Sequence, residues 1–233
     1  MARISLVTKV VDAILDDIVD GTIGIDAGLP SEADVADAHG VSRLTVREAI
    51  RTLQARGVVR VESGKGSFVN PVSEWTSFDA VLRISAAGSS DAEVAIQLLE
   101  LRRIFEMGAA TLAASRRSDH DLARMTAYLA DMKAAHAAND VPAFVRADLA
   151  FHDVILKASH NIFLGAMFEP LTRVLHQRRE QTSRVVEIQI HAIAEHEGVL
   201  EAMRTGDPVL ARAAMQSHMM QTLDDLQTYV LDA

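Results

Sequence analysis

Residues 31–57 read SEADVADAHGVSRLTVREAIRTLQARG, and this stretch decides the fold of the first part of the chain. Ser31, with an aspartate three residues later, resembles a capping box and predicts the start of a short helix. Gly40 predicts its end, because glycine adopts the left-handed conformation that closes many helices. Ser42 then begins a second helix, which Gly57 ends. The inward face of this helix is predicted to be Val46, Ile50 and Leu53.

The flanking sequence completes a small domain. Residues 6–20 have apolar residues at helical spacing and predict another helix. Residues 58–61 and 67–69 are short β-like runs on either side of the segment 63–66, which contains two glycines and predicts a hairpin. Residues 1–71 therefore predict three helices and a two-stranded wing, the winged helix-turn-helix arrangement of DNA-binding domains.

The local charge suits nucleic acid, although the charge of the whole chain does not. The 233 residues have a formal net charge of −9. From Arg43 to Lys65, however, there are six basic residues and two acidic ones. A local basic field can attract phosphates while the rest of the protein stays acidic. Arg43, Thr45 and Arg47 fall in the first turns of the second helix of the motif, the part that enters the major groove.

Composition excludes several classes of protein. Because 49% of the residues are apolar, we expect a buried core rather than disorder. No apolar run approaches the length of a membrane span and no signal peptide is recognisable, so we expect a soluble cytoplasmic protein with no membrane partner. The absence of cysteine excludes disulfides, thiolate zinc sites and cysteine nucleophiles. A transition-metal site would have to use the nine histidines together with carboxylates.

The N-terminal motifs resemble those of GntR-family transcription regulators. The likeness covers about residues 5–71 and rests on motifs that occur in order at the family's spacing, namely LPSE (29–32), GVSRLTVREAI (40–50), GVV (57–59) and GKGSFV (64–69). It implies base contacts from Arg43 and Arg47 and a wing contact near Gly64. The chemistry agrees, because arginine can pair bidentately with guanine, and Thr45 can touch a thymine methyl group or a phosphate.

The other predicted DNA-binding residues lie at the start of the motif and in the wing. They are Ser31, Gly64, Lys65 and Gly66. The two glycines let the wing backbone approach the duplex closely, and Lys65 is placed for a phosphate or minor-groove contact. One position departs from the family pattern. Ala33 stands where the family commonly has an arginine that helps to read DNA, so the preferred DNA site can differ.

The chain as a whole is predicted to be mainly α. From residue 91 to the end the pattern predicts an all-α antiparallel bundle of six or seven helices. Breaks between these helices are expected near residues 118–119, 138–142, 159–161, 169–170 and 205–208. Residues 72–90 are expected to form a linker with a linker helix between the DNA-binding domain, 1–71, and a dimerising, ligand- and metal-binding domain, 91–233. Trp75 is expected to pack between these domains.

Four residues of the predicted bundle suit a metal site. Asp148 and His152 are four residues apart, so both project from one helix face. His196 and His218 lie on two later predicted helices, and the apolar residues near them at helical spacing predict that both point inward. One carboxylate and three imidazoles that converge in a bundle can bind a first-row transition metal. Four separately buried, hydrogen-bonded side chains are the alternative.

The order of these four residues resembles the FCD-type ligand domain of the FadR subfamily of GntR regulators. The likeness covers about residues 75–225 and includes RRIFE at 102–106. It implies a divalent transition metal (zinc, nickel or manganese) at the four residues and an effector with a carboxylate, a sugar acid or small organic acid, near the metal. We assign Arg102 to that carboxylate, because a guanidinium pairs with it bidentately. An ordinary ion pair with Glu106 is the alternative.

These features predict a sequence-specific transcription regulator, a repressor, that acts as a homodimer on a short inverted repeat in double-stranded DNA and responds to the acid. Two other functions compete with it. An open metal site can activate water, which would make the chain a metal-dependent, hydrolase-like enzyme. No additional general base stands out, however, and a hydrolase does not need a winged helix, so we expect no catalytic residues. The second alternative is a DNA-binding protein whose bundle only dimerises.

Overall fold

The computed structural model describes residues 5–88 and 91–231. Within these ranges the chain has ten α-helices and one two-stranded sheet. It divides into two compact units between Val94 and Ala95. The predicted mainly-α fold, with a winged helix-turn-helix followed by a helical bundle, is confirmed. None of the helices in the described ranges is long and apolar enough to cross a membrane.

Three helices begin the N-terminal unit. They are α1 (Leu6–Val19), α2 (Glu32–His39) and α3 (Arg43–Ala55). The hydroxyls of Ser31 and Ser42 accept the backbone N–H groups of Asp34 and Thr45 and so cap α2 and α3, as predicted. Gly40 ends α2 in the left-handed conformation, with φ of 62°. The inner face of α3 is buried against α1 in one apolar core.

The wing is a short antiparallel hairpin. Its strands, β1 (Val59–Glu62) and β2 (Gly66–Val69), pair with Val59 opposite Val69. Val59 and Val69 are buried in the apolar core of the N-terminal unit, whereas the tip at 63–66 is exposed. The hairpin therefore has a base fixed by apolar packing and a tip that is free to contact a partner.

The segment after the wing folds back onto the N-terminal unit. A 3-10 turn (Val72–Glu74) brings the N–H of Thr76 to the carbonyl of Arg56 at 2.9 Å. Trp75 joins the core of this unit, and its Nε1 donates to the Asn70 carbonyl at 3.0 Å. Its packing between the domains stays a prediction. The turn is close enough to α3 that a Cβ on Gly57 would collide with the Glu74 carbonyl, which fixes this return path.

Helix α4 (Phe78–Gly88) follows and packs on α1. Arg83 of α4 forms ion pairs with Asp12, at 3.2 Å, and with Asp16. Most of the predicted linker, 72–90, is therefore regular structure, and its last two residues lie outside the described residues. Residues 1–4 and 232–233, which belong to the two predicted domains, also lie outside the described residues.

Six helices build the C-terminal unit within the described residues. They are α5 (Asp91–Arg116), which begins just before the division, α6 (Asp119–Ala137), α7 (Val141–Ala158), α8 (Ile162–Thr182), α9 (Val186–Thr205) and α10 (Pro208–Leu226). A π-helical turn (Gln227–Leu231) follows α10. Helix α6 packs on α7 and α9, α7 on α8, and α9 on α10. The connections between these helices are short, which favours the predicted antiparallel arrangement of neighbours.

The helix breaks were predicted correctly except in α8. That helix continues through the proline at position 170, so the break expected at residues 169–170 is wrong. A proline in a helix removes one backbone hydrogen bond, but Phe168, Leu171 and Leu175 are buried on the inner face on both sides of it. Their burial compensates for the lost hydrogen bond. A break at residues 183–185, between α8 and α9, was not predicted.

Candidate functional site

Three histidines meet in the interior of the C-terminal unit. His152 of α7, His196 of α9 and His218 of α10 are all buried, and one nitrogen from each lies within 4.8 Å of the others. Nε2 of His152 and Nε2 of His218 are 3.3 Å apart. Oδ1 of Asp148, also buried, lies 3.1 Å from Nε2 of His196 and 3.8 Å from Nε2 of His152. The structure thus brings all four predicted residues together.

The sequence of α7 explains why Asp148 and His152 point inward. This helix buries apolar residues on the same face, among them Phe144, Phe151 and Ile155, so the polar pair is carried into the core with them. The Phe151 ring packs edge-on against His196, with 4.7 Å between ring centroids. Apolar packing thus fixes the orientation of the site.

The polar contacts behind two imidazoles favour a proton on Nδ1 of each ring. Nδ1 of His196 is 2.6 Å from the Ala192 carbonyl, which can only accept, so Nδ1 donates and Nε2 keeps its lone pair. Nδ1 of His152 is in close contact with Oε2 of Glu106, and an ionised carboxylate likewise only accepts. In neutral rings with the proton on Nδ1, the Nε2 lone pairs of both face the centre of the cluster. A backbone carbonyl or a carboxylate behind the ring is a typical arrangement for a metal-binding histidine.

The charges of the cluster suit metal binding as well. Burial would raise the pKa of Glu106, but Arg102 and His152 outweigh it and lower the pKa to about 2. Burial opposes the ionisation of Asp148 too, yet Arg179 and the histidines hold its pKa well below the usual range. Burial lowers the pKa values of His152 and His218. Ionised carboxylates and neutral imidazoles are the forms that bind a cation.

Unsatisfied polar atoms collect at the same place. Among the described side chains, buried nitrogen and oxygen atoms without a hydrogen-bond partner include Oδ2 of Asp148, Nε2 of His196, Nδ1 of His218, and Nε and Nη2 of Arg179. Buried polar atoms are rarely left unpaired, because each costs about 1–3 kcal/mol. A cation would satisfy the acceptors, and an anion would satisfy the arginine. The residues present therefore fit a metal ion with an anionic ligand beside it.

Two further residues of this site were not predicted from the sequence. Arg179 of α8 donates from Nη1 to Oδ1 of Asp148 at 2.7 Å. It follows Leu171 and Leu175 at intervals of four residues, and this inward-facing spacing was a signal that could have identified it. Glu106 was considered only as an ion-pair partner of Arg102. It contacts His152 as well and so connects the two.

Arg102 is buried in α5, next to the cluster. Its Nε donates to Oε1 of Glu106 at 2.7 Å, so the ion pair considered as an alternative is present. This pair does not exclude contact with an effector, because a guanidinium has five N–H donors. Assignment of Arg102 to an effector carboxylate stays a prediction.

A second candidate site lies on the N-terminal unit, at the start of α3. Arg43 and Arg47 are exposed there, one helical turn apart. The guanidinium of Arg47 forms two hydrogen bonds with the carboxylate of Glu32, Nε to Oε1 at 3.1 Å and Nη2 to Oε2 at 2.7 Å. The Thr45 hydroxyl lies 2.9 Å from that of Ser42. The surface can therefore present two cations and a hydroxyl to a duplex.

The remaining predicted DNA contacts lie at the wing tip and at the cap of α2. Gly64 and Gly66 have φ values of 76° and 115°, and no atom lies within 4 Å of where a Cβ would be, so the tip is open to a close approach. Nζ of Lys65, beside them, is 3.1 Å from Oε2 of Glu62. The Ser31 hydroxyl is used within the chain, because it caps α2 and donates to Asp34 at 2.7 Å.

Comparison with known families gives two matches that follow the two units. Residues 6–69 match the model of bacterial regulatory proteins, gntR family, and residues 97–221 match that of the FCD domain. The chain is 31% identical to the HTH-type transcriptional regulator LutR of Bacillus subtilis (strain 168), over 86% of this chain and 92% of LutR. It is 27% identical to the galactonate operon transcriptional repressor of Escherichia coli (strain K12), over 88% of this chain and 90% of that protein.

The fold is also similar to that of a solved structure. The structure described as Streptococcus agalactiae GntR has a TM-score of 0.52 and 26% sequence identity, over 94% of this chain and 99% of that one. Both the relatives and the solved structure are thus matched over nearly their full length.

Proposed function

Because this chain belongs to the gntR family of bacterial regulatory proteins and has an FCD domain, we propose that it is a transcription repressor controlled by a small organic acid bound beside a metal ion. The family assignment makes the chain a DNA-binding transcription regulator and not an enzyme. This removes the hydrolase-like alternative.

One observation supports the metal most strongly. One nitrogen from each of three buried histidines lies within 4.8 Å of the others, and Oδ1 of Asp148 lies 3.1 Å from Nε2 of His196. With the Nδ1 proton of a neutral His196 on the Ala192 carbonyl, these atoms can bind a cation together, in addition to the Arg179 guanidinium that already donates to Oδ1. Asp148, His152, His196 and His218 would hold that cation. Three imidazoles and one carboxylate suit zinc or nickel, and manganese is the candidate if oxygen ligands are added.

Glu106 and Arg179 would orient these ligands. The Glu106 carboxylate contacts Nδ1 of His152, and Arg179 donates to the Asp148 carboxylate. The metal, when bound, supplies a positive centre that an effector carboxylate can bind. The unpaired Nε and Nη2 atoms of Arg179 offer further donors to an anion at this place, with Arg102 nearby as the predicted partner.

The effector class follows from these groups and from a relative. Cations and buried donors favour a carboxylate, and the relative named for the galactonate operon points to a sugar acid. We propose that the effector is a sugar acid or another small organic acid, and that its binding alters the affinity for the operator. A ligand does so only if it binds one of two protein states more tightly than the other.

On DNA, we propose that α3 enters the major groove and the wing contacts the flanking backbone. Arg43, Thr45 and Arg47 would contact bases. The backbone or the minor groove would be contacted by Lys65, the wing glycines and Ser31. We propose a homodimer on a short inverted repeat, because a two-fold dimer presents two recognition helices symmetrically. A footprint over one asymmetric half-site, bound by a monomer, would contradict this.

A thermal-shift screen tests the ligand proposal. The purified chain is heated with a panel of sugar acids and organic acids, with and without a metal chelator. We expect one acid to raise the melting temperature, and the chelator to abolish that rise. A rise that the chelator leaves unchanged would mean that the acid does not bind beside the metal. If no acid and no metal has an effect, the remaining alternative, a bundle that only dimerises, is favoured.

A further inference from the structure

Glu32 is an acidic residue on the proposed DNA-binding face. It is the first residue of α2, and its carboxylate crosses to Arg47, 15 residues later in α3. An acid beside bound DNA repels the phosphates and weakens binding of every sequence alike. A benefit from Glu32 must therefore come from its effect on Arg47, the proposed base-contacting arginine.

We propose that Glu32 is a positioning residue, which holds the guanidinium of Arg47 in the orientation in which its opposite edge meets a base pair. The two hydrogen bonds use Nε and one hydrogen of Nη2. This pair leaves unused the edge formed by Nη1 and the other hydrogen of Nη2. That edge has two parallel donors, which is what guanine O6 and N7 accept. The inference rests on the proposed function, in which Arg47 contacts a base.

A positioning role fits the exposure of the pair. The side chains of Arg47 and Glu32 are 54% and 35% exposed, and ion pairs so exposed add little to the stability of a fold. Binding is different, because a free arginine loses rotamer freedom when it contacts a base. An arginine already held by two hydrogen bonds has less freedom to lose. Hydrogen bonding from Arg47, aided by Arg43 and Arg51, lowers the pKa of Glu32, so it stays ionised.

The chain contains a matched control on α3, the helix of Arg47. Glu48 pairs with Arg51, and Nη1 of Arg51 lies 2.6 Å from Oε1 of Glu48, with the two side chains 64% and 45% exposed. This pair joins neighbouring turns of α3 by one hydrogen bond and does not connect two helices. Glu48→Gln removes the same charge from the DNA-binding face, here from α3 instead of α2, without breaking the hydrogen bonds that hold Arg47.

Two effects of Glu32→Gln should have opposite signs. Loss of a negative charge near the duplex should leave the affinity for unrelated DNA unchanged or raise it. Loss of the second carboxylate oxygen should let Arg47 move, which reduces its preference for one base pair. A residue with only an electrostatic or structural role would change both affinities in the same direction.

The experiment uses the full chain and a duplex that the parent selects from a random pool. Each base pair of that duplex is changed in turn, and binding is followed by fluorescence anisotropy. The proteins compared are the parent, Glu32→Gln, Glu48→Gln, Arg47→Ala and the double variant Glu32→Gln with Arg47→Ala. Glu32→Ala is a second variant at the same position. Thermal unfolding followed by Trp75 fluorescence checks that each variant is folded. Arg47→Ala identifies the base pair that Arg47 contacts.

We expect Glu32→Gln to lose at least about fivefold in discrimination at that same base pair, Glu48→Gln to keep it, and the double variant to be no worse than Arg47→Ala. Glu32→Ala should lose at least as much. Discrimination by Glu32→Gln equal to that of the parent, or losses that add in the double variant, would overturn the inference. If the parent selects no sequence, or Arg47→Ala discriminates like the parent, the base contact of the proposed function fails and the inference falls with it.

Discussion

Nε2 of His196 lies 3.1 Å from Oδ1 of Asp148, and both atoms are hydrogen-bond acceptors when the Nδ1 proton of His196 is given to Ala192. Arg179 donates to the same Oδ1 at 2.7 Å, whereas Nε2 of His196 has no hydrogen-bond partner. A metal ion would use the lone pairs of both atoms. The same cluster leaves donors of Arg179 unpaired beside it, so one arrangement has places for a metal and for an anion.

The Glu106 carboxylate should matter for metal affinity even though it does not contact the metal. Glu106→Gln removes the negative charge in contact with Nδ1 of His152, so we expect metal affinity to fall about 10–100-fold. Competition with a chromogenic chelator measures this. Glu100→Gln, an exposed change on the same helix, is the control. If both variants bind metal like the parent, Glu106 has no role in orienting His152.

Stability of the metal-free chain should fall as the pH drops below about 6.5. Burial lowers the pKa values of His152 and His218 in the folded chain, whereas in the unfolded chain they titrate near the ordinary value of 6.5. Below that pH the unfolded state binds more protons than the folded state, so protonation favours unfolding. Above it, this contribution is fully retained. Glu106 causes a further loss of stability as the pH falls from 4.5, its ordinary pKa, to about 2, its pKa in the folded chain.

Urea unfolding at pH 7.5 and pH 5.5 measures this effect. Circular dichroism follows all the helices, whereas fluorescence of Trp75, the only tryptophan, follows the N-terminal unit. The loss at pH 5.5 should be larger by circular dichroism than by Trp75 fluorescence. An equal midpoint at both pH values would show that His152 and His218 do not titrate as the structure implies.

Local sequence signals predicted the fold well. Ser31 and Ser42 specify helix starts through contacts three residues away, which is why both caps were predictable. The inward direction of Asp148 and His152 was predictable from local sequence as well, because a spacing of four residues places both on one face of α7. Arg179 was missed because its role depends on a residue 31 positions away in another helix. The place of Trp75 in the core of the N-terminal unit was not predicted for a similar reason, since the fold-back of its segment depends on the close approach to Gly57.

Gly57 should be among the least replaceable residues of the N-terminal unit. It has a φ of 71°, and a Cβ there would collide with the Glu74 carbonyl. Gly40→Ala is the matched control, because Gly40 has a similar φ of 62° but no atom within 4 Å of a Cβ. We expect Gly40→Ala to cost about 1–2 kcal/mol of the free energy of unfolding and Gly57→Ala to cost more. Equal losses in urea unfolding, followed by Trp75 fluorescence, would contradict the fold-back.

Two DNA contacts should differ in kind. Arg47→Ala should remove a base contact worth about 1–3 kcal/mol and relax specificity at one position. Lys65→Ala should weaken the binding of all sequences alike and reduce the dependence of the affinity on salt by about one unit of slope. Titrations of a selected operator at several salt concentrations separate the two effects. If both variants bind the operator like the parent, the DNA-contacting residues are assigned wrongly.

The metal-dependent control of DNA binding is tested most directly by elemental analysis of the parent and of His196→Ala, paired with release of operator DNA by the acid found in the thermal-shift screen. His191→Ala, on the same helix but paired with Asp225 at 2.7 Å, is the control. We predict that the parent and His191→Ala contain metal and respond to the acid, whereas His196→Ala contains little metal, binds the operator and responds poorly. Equal metal content in His196→Ala and the parent, or an unchanged response to the acid, would show that these histidines are ordinary core residues.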